Sequence, residues 1–462
     1  MAQLLRLLFL ALIIASAMWG IAIWYWRDTA ADIETQDLFV YLLVLPATAL
    51  GMALLLRSAW HRAGAMPAAA ARTETAQAPT QQEHLPAERR FIQVLAQGVV
   101  CSGADEIQAA LKLLPSPPPP EPDPELADLE GMNVFTRRFS GIQGDGFERE
   151  AAMIERCVAP VLQHLSALSE AVQAARPEEP VPQPMHPTLV VRRKPPPPPP
   201  RVRVLWGAAH SRDRDGVERH AQEAVSRWAA QVPGYEWQLE LQMVESGVAL
   251  LAAAERQLSL GRQTAMEELL LVLAAASLVD ERIVAELEAG HRLFSARHAD
   301  GFMLGEAAAT LLLAASPSND LALESVQAPC SMTMHWLIGK ADPEGKARSQ
   351  CGALLSVVMA DALTAAACEP EAVEQMISDT DAQRSVADEV LAATAAQLPH
   401  MRAHETSLFG GLATGHIGIA APLVSIAMAA ELAESRRTKV MAVAHMHPRD
   451  RMAALLMPAP QA

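Results

Sequence analysis

The chain lacks an excess of basic residues, and it is poor in cysteine. Its 37 lysines and arginines are outnumbered by 53 aspartates and glutamates, which gives a formal net charge of −16 at pH 7. Nucleic-acid-binding surfaces are usually basic, so this balance argues against a nucleic-acid partner. The cysteines are odd in number and show no CxxC spacing, which favours reduced thiols in a cytosolic compartment over a zinc or iron–sulfur site; they are Cys101, Cys157, Cys330, Cys351 and Cys368.

Several short catalytic motifs are also absent from the sequence. It contains no G-x-S-x-G nucleophile turn, no HExxH zinc pair and no dinucleotide-binding fingerprint. The glycine-rich run Gly410–Gly415 lacks the Lys-Ser/Thr pair of a phosphate-binding loop. These absences argue against the hydrolase and nucleotide-binding classes that the motifs define.

Two long uncharged runs stand at the N-terminus. Leu7–Trp26 covers about twenty residues, enough for a helix to cross a hydrocarbon core of ~30 Å, and Leu38–Leu56 forms a second run. Together they predict a membrane anchor of two transmembrane helices over residues 1–62. The alternative for the first run is a cleaved signal peptide, because Ala15-Ser16-Ala17 has the small-x-small form of a cleavage site.

Basic residues at the ends of these runs predict the orientation of the anchor. Arg6 precedes the first run, and Arg57 and Arg62 follow the second. The loop between the runs carries Arg27 against four carboxylates, namely Asp28, Asp32, Glu34 and Asp37. By the positive-inside rule both termini lie in the cytoplasm, which predicts a bacterial inner-membrane protein with a cytoplasmic soluble region.

Composition divides the rest of the chain into three parts. Residues 63–87, rich in small residues, Thr and Gln, predict a flexible tether. Residues 88–201 predict an N-terminal α/β half with proline-rich insertions at Pro115–Pro124 and Glu178–Arg201. We expect these insertions to be extended polyproline II segments that act as stiff spacers or surface loops. Residues 202–462 predict a larger α/β domain.

Strands and helices alternate regularly from residue 202 onward, which predicts a layered α/β domain. Two helices, Val248–Leu258 and Pro422–Leu432, are apolar or small on nearly all faces, so we expect both to lie buried between sheets of a predominantly parallel type. The other predicted elements are strands at Val202–Trp206, Glu236–Val244, Glu268–Ala275, Ala307–Ala314 and Lys439–Ala444, and helices at Gly216–Gln231 and Gly352–Ala367.

One segment within this region is distinctive. The apolar run Leu270–Ser277 is followed by Asp300-Gly301-Phe302-Met303-Leu304-Gly305-Glu306 and three alanines. It resembles the β-ketoacyl synthase branch of the thiolase-like superfamily, in which a DGF-x-x-GE turn leads into a core strand. Glu245-Ser246-Gly247 is similar to the nucleophile turn of that family, and Ser407–Ala421 to its late glycine-rich loop. The resemblance covers about residues 202–457 and implies a thiolase-like layered α/β/α fold.

A strand at Arg90–Gly98 would then be the first strand of the other half of a thiolase-like pair. The chain departs from the family at its catalytic positions. Those enzymes need a thiolate at a helix N-terminus and two histidines. In the alignment Val244 stands at the position of the cysteine, Asp379 at that of the first histidine and Gly411 at that of the second, with His416 five residues further on.

A valine cannot form a thioester, so this scaffold is interpreted as a fold reused for binding. We therefore predict no catalytic, cofactor-binding or metal-binding residues and no cofactor. Two weaker signals favour a metal instead. Asp379-Thr380-Asp381 matches the Asp-x-Asp motif of metal-dependent sugar transferases; the alternative interpretation is an ordinary acidic turn. His445 and His447 alternate on a predicted strand and would face the same side of it, as a pair of metal ligands could. The alternative interpretation is a solvated loop edge.

The predicted anchor, tether, proline spacers and triad-less body together resemble the accessory (adaptor) proteins of type VI secretion lipase effectors. Members share a Phe-x-x-x-V-x-x-x-G-V segment, to which Phe91–Val99 is similar with imperfect spacing. The resemblance implies a non-catalytic adaptor or chaperone that binds a phospholipase effector and helps to load it on the secretion spike protein. The alternatives are a membrane-tethered β-ketoacyl synthase-like condensing enzyme and a structural membrane scaffold without cargo.

Overall fold

The computed structural model describes residues 91–175, 200–264, 268–295, 298–315, 330–339, 351–402 and 406–458. The predicted anchor and tether lie outside the described residues, and so does most of the second proline tract. One described helical stretch, 418–436, is long and apolar enough to cross a membrane by length and composition, and 78% of it is buried within the fold.

The strands and helices predicted from residue 202 onward are present, most with ends shifted by a few residues. The strands are β1 (Ile92–Cys101), β2 (Glu121–Ala127), β3 (Asn133–Arg137), β4 (Arg201–Ala209), β5 (Glu236–Val244), β6 (Glu268–Ser277), β7 (Leu304–Ala315), β8 (Cys330–Leu337), β9 (Val373–Ser378), β10 (Ser407–Phe409), β11 (Lys439–Ala444) and β12 (Arg451–Pro458). The helices are α1 (Ile107–Leu113), α2 (Gly146–Ala175), α3 (Arg214–Gln231), α4 (Gly247–Thr264), α5 (Glu281–Ala289), α6 (Cys351–Ala365), α7 (Arg384–Gln397), α8 (Gly410–Thr414) and α9 (Ala421–Arg436).

The sheet contains two halves with the same strand order. Its main path runs β10-β9-β11-β12-β8-β1-β7-β6-β4-β5, and the β2–β3 hairpin attaches to β7 through β3. When the five strands of each half are numbered in chain order, they lie in the order third, second, fourth, fifth, first from the outer edge of the sheet to its centre. The halves meet where β1 pairs antiparallel with β8. The fold is therefore an internal duplication with its midpoint between β7 and β8, and the 88–201 segment supplies β1 and α2 to the first half.

Three hydrophobic cores show how the layers stack. The central core contains α4 and α9 together with the inner faces of strands from both halves. A second core packs α2 and α3 on the outer face of the first half, and a third packs α6 and α7 on the outer face of the second half. The layers therefore follow the sequence α/β/α/β/α, with α4 and α9 in the middle layer.

The two helices that the sequence predicts to be buried do lie in this middle layer. α9 is buried over nearly its whole length, and α4 over its first two turns, beyond which Arg256 is exposed and Leu260 is 56% exposed. A β-carbon added to Gly247 would lie 2.2 Å from the carbonyl oxygen of Ile419. The N-terminus of α4 therefore meets the turn before α9 at backbone contact, which a glycine permits.

The prediction of a predominantly parallel sheet needs correction. β4 pairs parallel with β5 and β6, and β9 with β10 and β11. Along the main path, however, β7 and β12 run antiparallel to the strands on both sides. The link from β11 to β12 spans residues 445–450, which is too short for the crossover that a parallel pair requires. The sheet is therefore mixed.

The prediction for the first proline tract is wrong over its second half. Residues from Glu121 form β2, which pairs antiparallel with β3. Pro122 and Pro124 are exposed on this strand, whereas Asp123 between them is buried. β2 pairs with β3 alone and is therefore an edge strand, so the missing N–H of each proline breaks no hydrogen bond to a second neighbouring strand. The prolines that led to the prediction of a spacer are thus compatible with a strand at the edge.

Candidate functional site

Four loops meet beside the middle layer, and they contain the positions that the sequence aligns with the catalytic triad. We call residues 244–247, 379–381, 410–416 and 445–450 the central loops. They follow β5, β9, β10 and β11 respectively, because equivalent strands of the two halves end on the same side of the duplicated fold. Backbone and side-chain contacts join each of these loops to at least one of the others.

Val244 ends β5 and is buried in the central core just before α4. A thiolate at this place would be stabilised by the N-terminus of α4, but the valine side chain has no ionisable group. Ser246 begins the helix, and its Oγ accepts a hydrogen bond from the backbone N–H of Ala249 at 3.2 Å. The serine therefore caps α4.

Asp450 links the last central loop to the N-terminus of α4. Ser246 Oγ donates a hydrogen bond to Asp450 Oδ2, and His447 Nδ1 lies 3.2 Å from the same oxygen. Burial raises the pKa of Asp450, but the bonds from His447 and Ser246 outweigh it, so the pKa is lowered overall. Since the serine donates to the carboxylate and not to the imidazole, the trio lacks the serine–histidine contact of an activated nucleophile.

The Asp379-Thr380-Asp381 turn holds protein groups with both its carboxylates. Asp379 accepts hydrogen bonds from the backbone N–H groups of His445 and Met446, at 2.9 and 3.2 Å. Asp381 accepts from the backbone and side chain of Gln383. Burial raises the pKa of Asp379, and it raises that of Asp381 to about 6. Through these hydrogen bonds the two carboxylates fix the turn to residues 445–446 and to Gln383.

The two histidines after β11 do not lie on a strand, because the strand ends at Ala444. His445 is buried, and its Nε2 lies 2.7 Å from Thr380 Oγ1. His447 is 23% exposed and belongs to the Asp450 cluster. The prediction that both face one side of a strand is therefore wrong. Among the described residues, no group of three or more His, Cys, Asp or Glu side chains is placed to hold a metal ion.

Gly411 stands where the polypeptide leaves no room for a side chain. A β-carbon there would lie 2.6 Å from the carbonyl oxygen of Asp379, 2.7 Å from that of Thr380 and 2.8 Å from the amide nitrogen of Asp381. All three atoms belong to the backbone and cannot rotate away. A histidine is thus sterically incompatible with this position in the observed backbone.

Replacing Gly411 with alanine is expected to destabilise the protein by about 1–3 kcal/mol, because the backbone of the acidic turn must move. Gly410→Ala is the matched control, since its β-carbon would meet a single atom, Ser378 O, at 3.1 Å. Denaturant unfolding of the two variants gives the comparison. Equal stability of both variants would contradict the close approach of these loops.

His416 lies at the end of the glycine-rich loop and contacts the DGF-GE segment. Its backbone N–H donates to Met303 O at 2.7 Å, and its ring packs against Phe302 with centroids 4.6 Å apart. Desolvation lowers the pKa of His416 to about 4, helped by the positive charges of Arg292 and His447. The imidazole is therefore neutral at physiological pH.

The glutamate of the DGF-GE segment forms a buried ion pair. Arg149 on α2 donates from Nε and Nη2 to the two carboxylate oxygens of Glu306, both at 2.6 Å. The side chains are 3% and 0% exposed. Glu306 also accepts from Ser277 Oγ and from the backbone N–H of Phe139. This glutamate therefore joins the start of β7 to α2, and it is structural.

The described cysteines lie in the cores and not at the central loops. Cys101, Cys157, Cys330 and Cys368 are all buried. Desolvation raises the pKa of Cys101 and Cys330 to about 12 and raises that of Cys157 further. Such thiols carry little thiolate at neutral pH, which makes them poor nucleophiles.

In a Cys351→Ser/Cys368→Ser variant, a maleimide at pH 7 is expected to leave the folded protein essentially unmodified. Thiolate is the reacting form, and burial suppresses it and blocks access. Mass spectrometry counts the added groups, and the same variant in denaturant is the positive control. Rapid labelling of Cys101, Cys157 or Cys330 in the folded protein would contradict the burial of these side chains.

Sequence reasoning missed Asp450, Arg149 and the pair between Glu389 and Arg451. Arg451 donates to both oxygens of Glu389, at 2.6 and 3.0 Å, and ties the start of β12 to α7. These partners are far apart in the chain, so no spacing rule identifies them. Arg149 gave no signal either, because Glu148 and Glu150 flank it and the three together resemble an ordinary charged first turn of a helix.

No family model matches the chain, and no curated protein sequence matches it. Solved structures do resemble it. The ishigamide ketosynthase/chain length factor is 15% identical with a TM-score of 0.50, over 80% of this chain and 100% of that one. The ketosynthase ApeO from Xenorhabdus doucetiae, solved in complex with its chain length factor ApeC, is 12% identical with a TM-score of 0.52, over 80% and 98%.

A third similar structure is the ketosynthase from module 6 of the bacillaene synthase of Bacillus subtilis 168. It is 11% identical with a TM-score of 0.52, over 80% of this chain and 72% of that one. At these identities the likeness shows the fold alone. The described chain therefore has a thiolase-like fold of the ketosynthase type, which confirms the predicted thiolase-like α/β architecture. The number of layers needs correction, because five layers replace the predicted α/β/α arrangement.

Proposed function

We propose that this protein is a non-catalytic adaptor that binds a phospholipase effector of a type VI secretion system and helps to load it on the spike protein. The observation that carries the proposal is Val244, which ends β5 at the N-terminus of the buried helix α4. A condensing enzyme needs a thiolate at this position, and no rotation of a valine supplies one.

The polar groups of the central loops support the same proposal. The Asp379 carboxylate binds backbone N–H groups of the neighbouring loop, and Asp450 binds Ser246 and the backbone N–H of Gly339. Gly411 fits against the acidic turn without space for an imidazole. Groups that hold loops together in this way stabilise the scaffold, and a scaffold without catalytic groups is suited to binding.

The predicted anchor gives the adaptor its location at the bacterial inner membrane, with the thiolase-like body in the cytoplasm. A tether restricts the body to a small volume next to the membrane, which raises its effective concentration toward partners assembled there. No cofactor and no nucleic acid take part in this function.

A condensing enzyme is the second candidate, and one arrangement favours it. Ser246, His447 and Asp450 lie together at the N-terminus of α4, and the neutral His416 is near enough for His447 to lower its pKa. In that case Ser246 Oγ would attack the thioester carbonyl and pass its proton to Asp450, the C–S bond would break, and Asp450 would return the proton to the departing thiolate, which leaves an acyl ester on Ser246. The two functions make opposite predictions for acyl transfer.

The deciding experiment uses the full-length protein in detergent. It is incubated with radiolabelled acyl thioesters and, separately, with a purified type VI phospholipase effector from the same organism. The adaptor proposal predicts no acyl label and a complex that survives gel filtration. Acyl label that disappears in Ser246→Ala would establish the enzyme instead. A protein that takes up neither acyl groups nor lipase would be a scaffold without cargo.

A further inference from the structure

The tip of the β2–β3 hairpin exposes two large apolar side chains. Leu129 is 78% exposed and Met132 is 65% exposed, more than the other exposed large hydrophobics of the described residues, which are Leu260, Val357 and Ile338. The two lie three residues apart on the turn that joins β2 and β3. Single exposed apolar residues need no explanation, but two on one turn can serve together as a binding anchor.

The turn that carries the pair is held in one conformation. Asp128 Oδ1 accepts hydrogen bonds from the backbone N–H groups of Glu130 and Met132, at 3.0 and 2.8 Å. The backbone of Asp128 bonds Gly131 and Met132 as well, and Gly131 adopts φ +80°, a conformation that suits glycine. An apolar pair on a fixed turn loses little conformational entropy when a partner binds.

The base of the hairpin is held in place by contacts with α5. Leu126 and Val134 pack with Val284 and Leu287 of α5 in a separate hydrophobic core. The backbone N–H of Leu129 donates to Glu288 Oε2 on α5 at 2.8 Å. The hairpin and α5 therefore form one lobe, which presents the tip as a preorganised surface.

The surroundings of the tip are acidic. Glu130 is exposed on the turn, and Glu125 is exposed on β2, where it pairs with Arg138 at 2.9 Å. Asp128 lies within the turn, and Glu288 supports it from α5. A partner that complements this surface has an apolar pocket bordered by lysine or arginine. A bacterial membrane does not, because the cytoplasmic leaflet carries negative charge and repels carboxylates.

We propose that the β2–β3 tip is the contact through which this protein holds its lipase cargo, with Leu129 and Met132 inserted in an apolar pocket that basic residues border. The inference rests on the proposed adaptor function and adds the surface and the chemistry of recognition. The apolar pair supplies the stability of the complex, and the carboxylates supply orientation and speed of association.

The test measures binding of the purified lipase to full-length protein in detergent. Leu129→Ala combined with Met132→Ala is expected to weaken the affinity at least about tenfold, as loss of a buried anchor pair does. Leu260→Ala, an exposed leucine on α4, is the matched control and should bind as the unmodified protein does. Glu125→Gln combined with Glu130→Gln should slow association and reduce its dependence on salt.

Unchanged affinity of the Leu129→Ala/Met132→Ala variant would overturn this inference while leaving the adaptor function intact. Absence of lipase binding by the unmodified protein would overturn both. A fluorescent probe on Met132→Cys, in a Cys351→Ser background and in phosphatidylethanolamine/phosphatidylglycerol vesicles, separates protein from lipid. A blue shift on addition of lipase supports the inference, whereas the same shift before addition identifies a membrane contact and contradicts it.

Discussion

Replacing Arg149 with alanine is expected to lower the free energy of unfolding by about 3–5 kcal/mol, because the substitution leaves the Glu306 carboxylate buried without its cation. The arginine contacts both oxygens of that carboxylate at 2.6 Å, and neither side chain has appreciable exposure. Its guanidinium also donates to the carbonyl oxygens of Phe139 and Ile142. The loss therefore includes hydrogen bonds that connect α2 with the segment before it.

Arg156→Ala is the control, since Arg156 lies on the same helix and pairs with Asp105 at the surface. Those side chains are 42% and 72% exposed. Solvent screening limits such a pair to about 0–1 kcal/mol. Chemical denaturation of the two variants under one condition gives the difference. If Arg149→Ala were no less stable than Arg156→Ala, the ion pair would not join α2 to β7 as described.

Deleting residues 202–457 is expected to reduce delivery of the lipase to the background level. β1 lies between β7 and β8, so this deletion removes both strands that pair with it and leaves α2 without a sheet to cover. The measurement is the amount of lipase recovered with the spike protein from cells.

Deletion of residues 1–62 is the informative comparison, because it removes the predicted anchor and spares every described element. Delivery should then fall in part, because the proposed contacts with cargo lie C-terminal to the predicted anchor, whose proposed contribution is to raise the local concentration. Equal losses in the two deletions would place the essential contacts in the anchor.

Local patterns in the sequence were sufficient for much of the fold. The strands Glu236–Val244 and Lys439–Ala444 match their predicted bounds, because alternating or continuous apolar residues there end at turn residues. The burial of α9 follows from small and apolar side chains on all its faces, which suits a helix between two sheets. Periodicity and composition are sufficient to predict an element and its burial where the local sequence alone specifies them.

Pairing between distant segments could not be derived in the same way. Pro122 and Pro124 favour an extended spacer, and the strand there depends on β3 as its partner. Glu306 is visible as part of a motif, but its role comes from Arg149, 157 residues earlier in the chain. The separation of Ser246 from Asp450 is 204 residues. Such contacts are set by the whole topology, which no local pattern specifies.

The alignment of the triad positions was partly informative. Val244 does lie at the N-terminus of a buried helix, as the resemblance implies. Gly411 is fixed by backbone contact with the acidic turn, a constraint that alignment alone does not reveal. The histidines after β11 were assigned to a strand because their alternation resembles one, but the chain turns at once into β12 and places them in separate networks.

The adaptor function is tested most directly by the amount of lipase that a strain lacking this protein secretes. Strains with the gene deleted, and with the deletion complemented by the unmodified gene or by the Val244→Ala variant, are compared by immunoblotting of the culture medium. We expect secretion to be lost on deletion and restored by both genes, since the position of Val244 contributes packing and no chemistry. Lipase secreted at the normal level by the deletion strain would contradict the adaptor function.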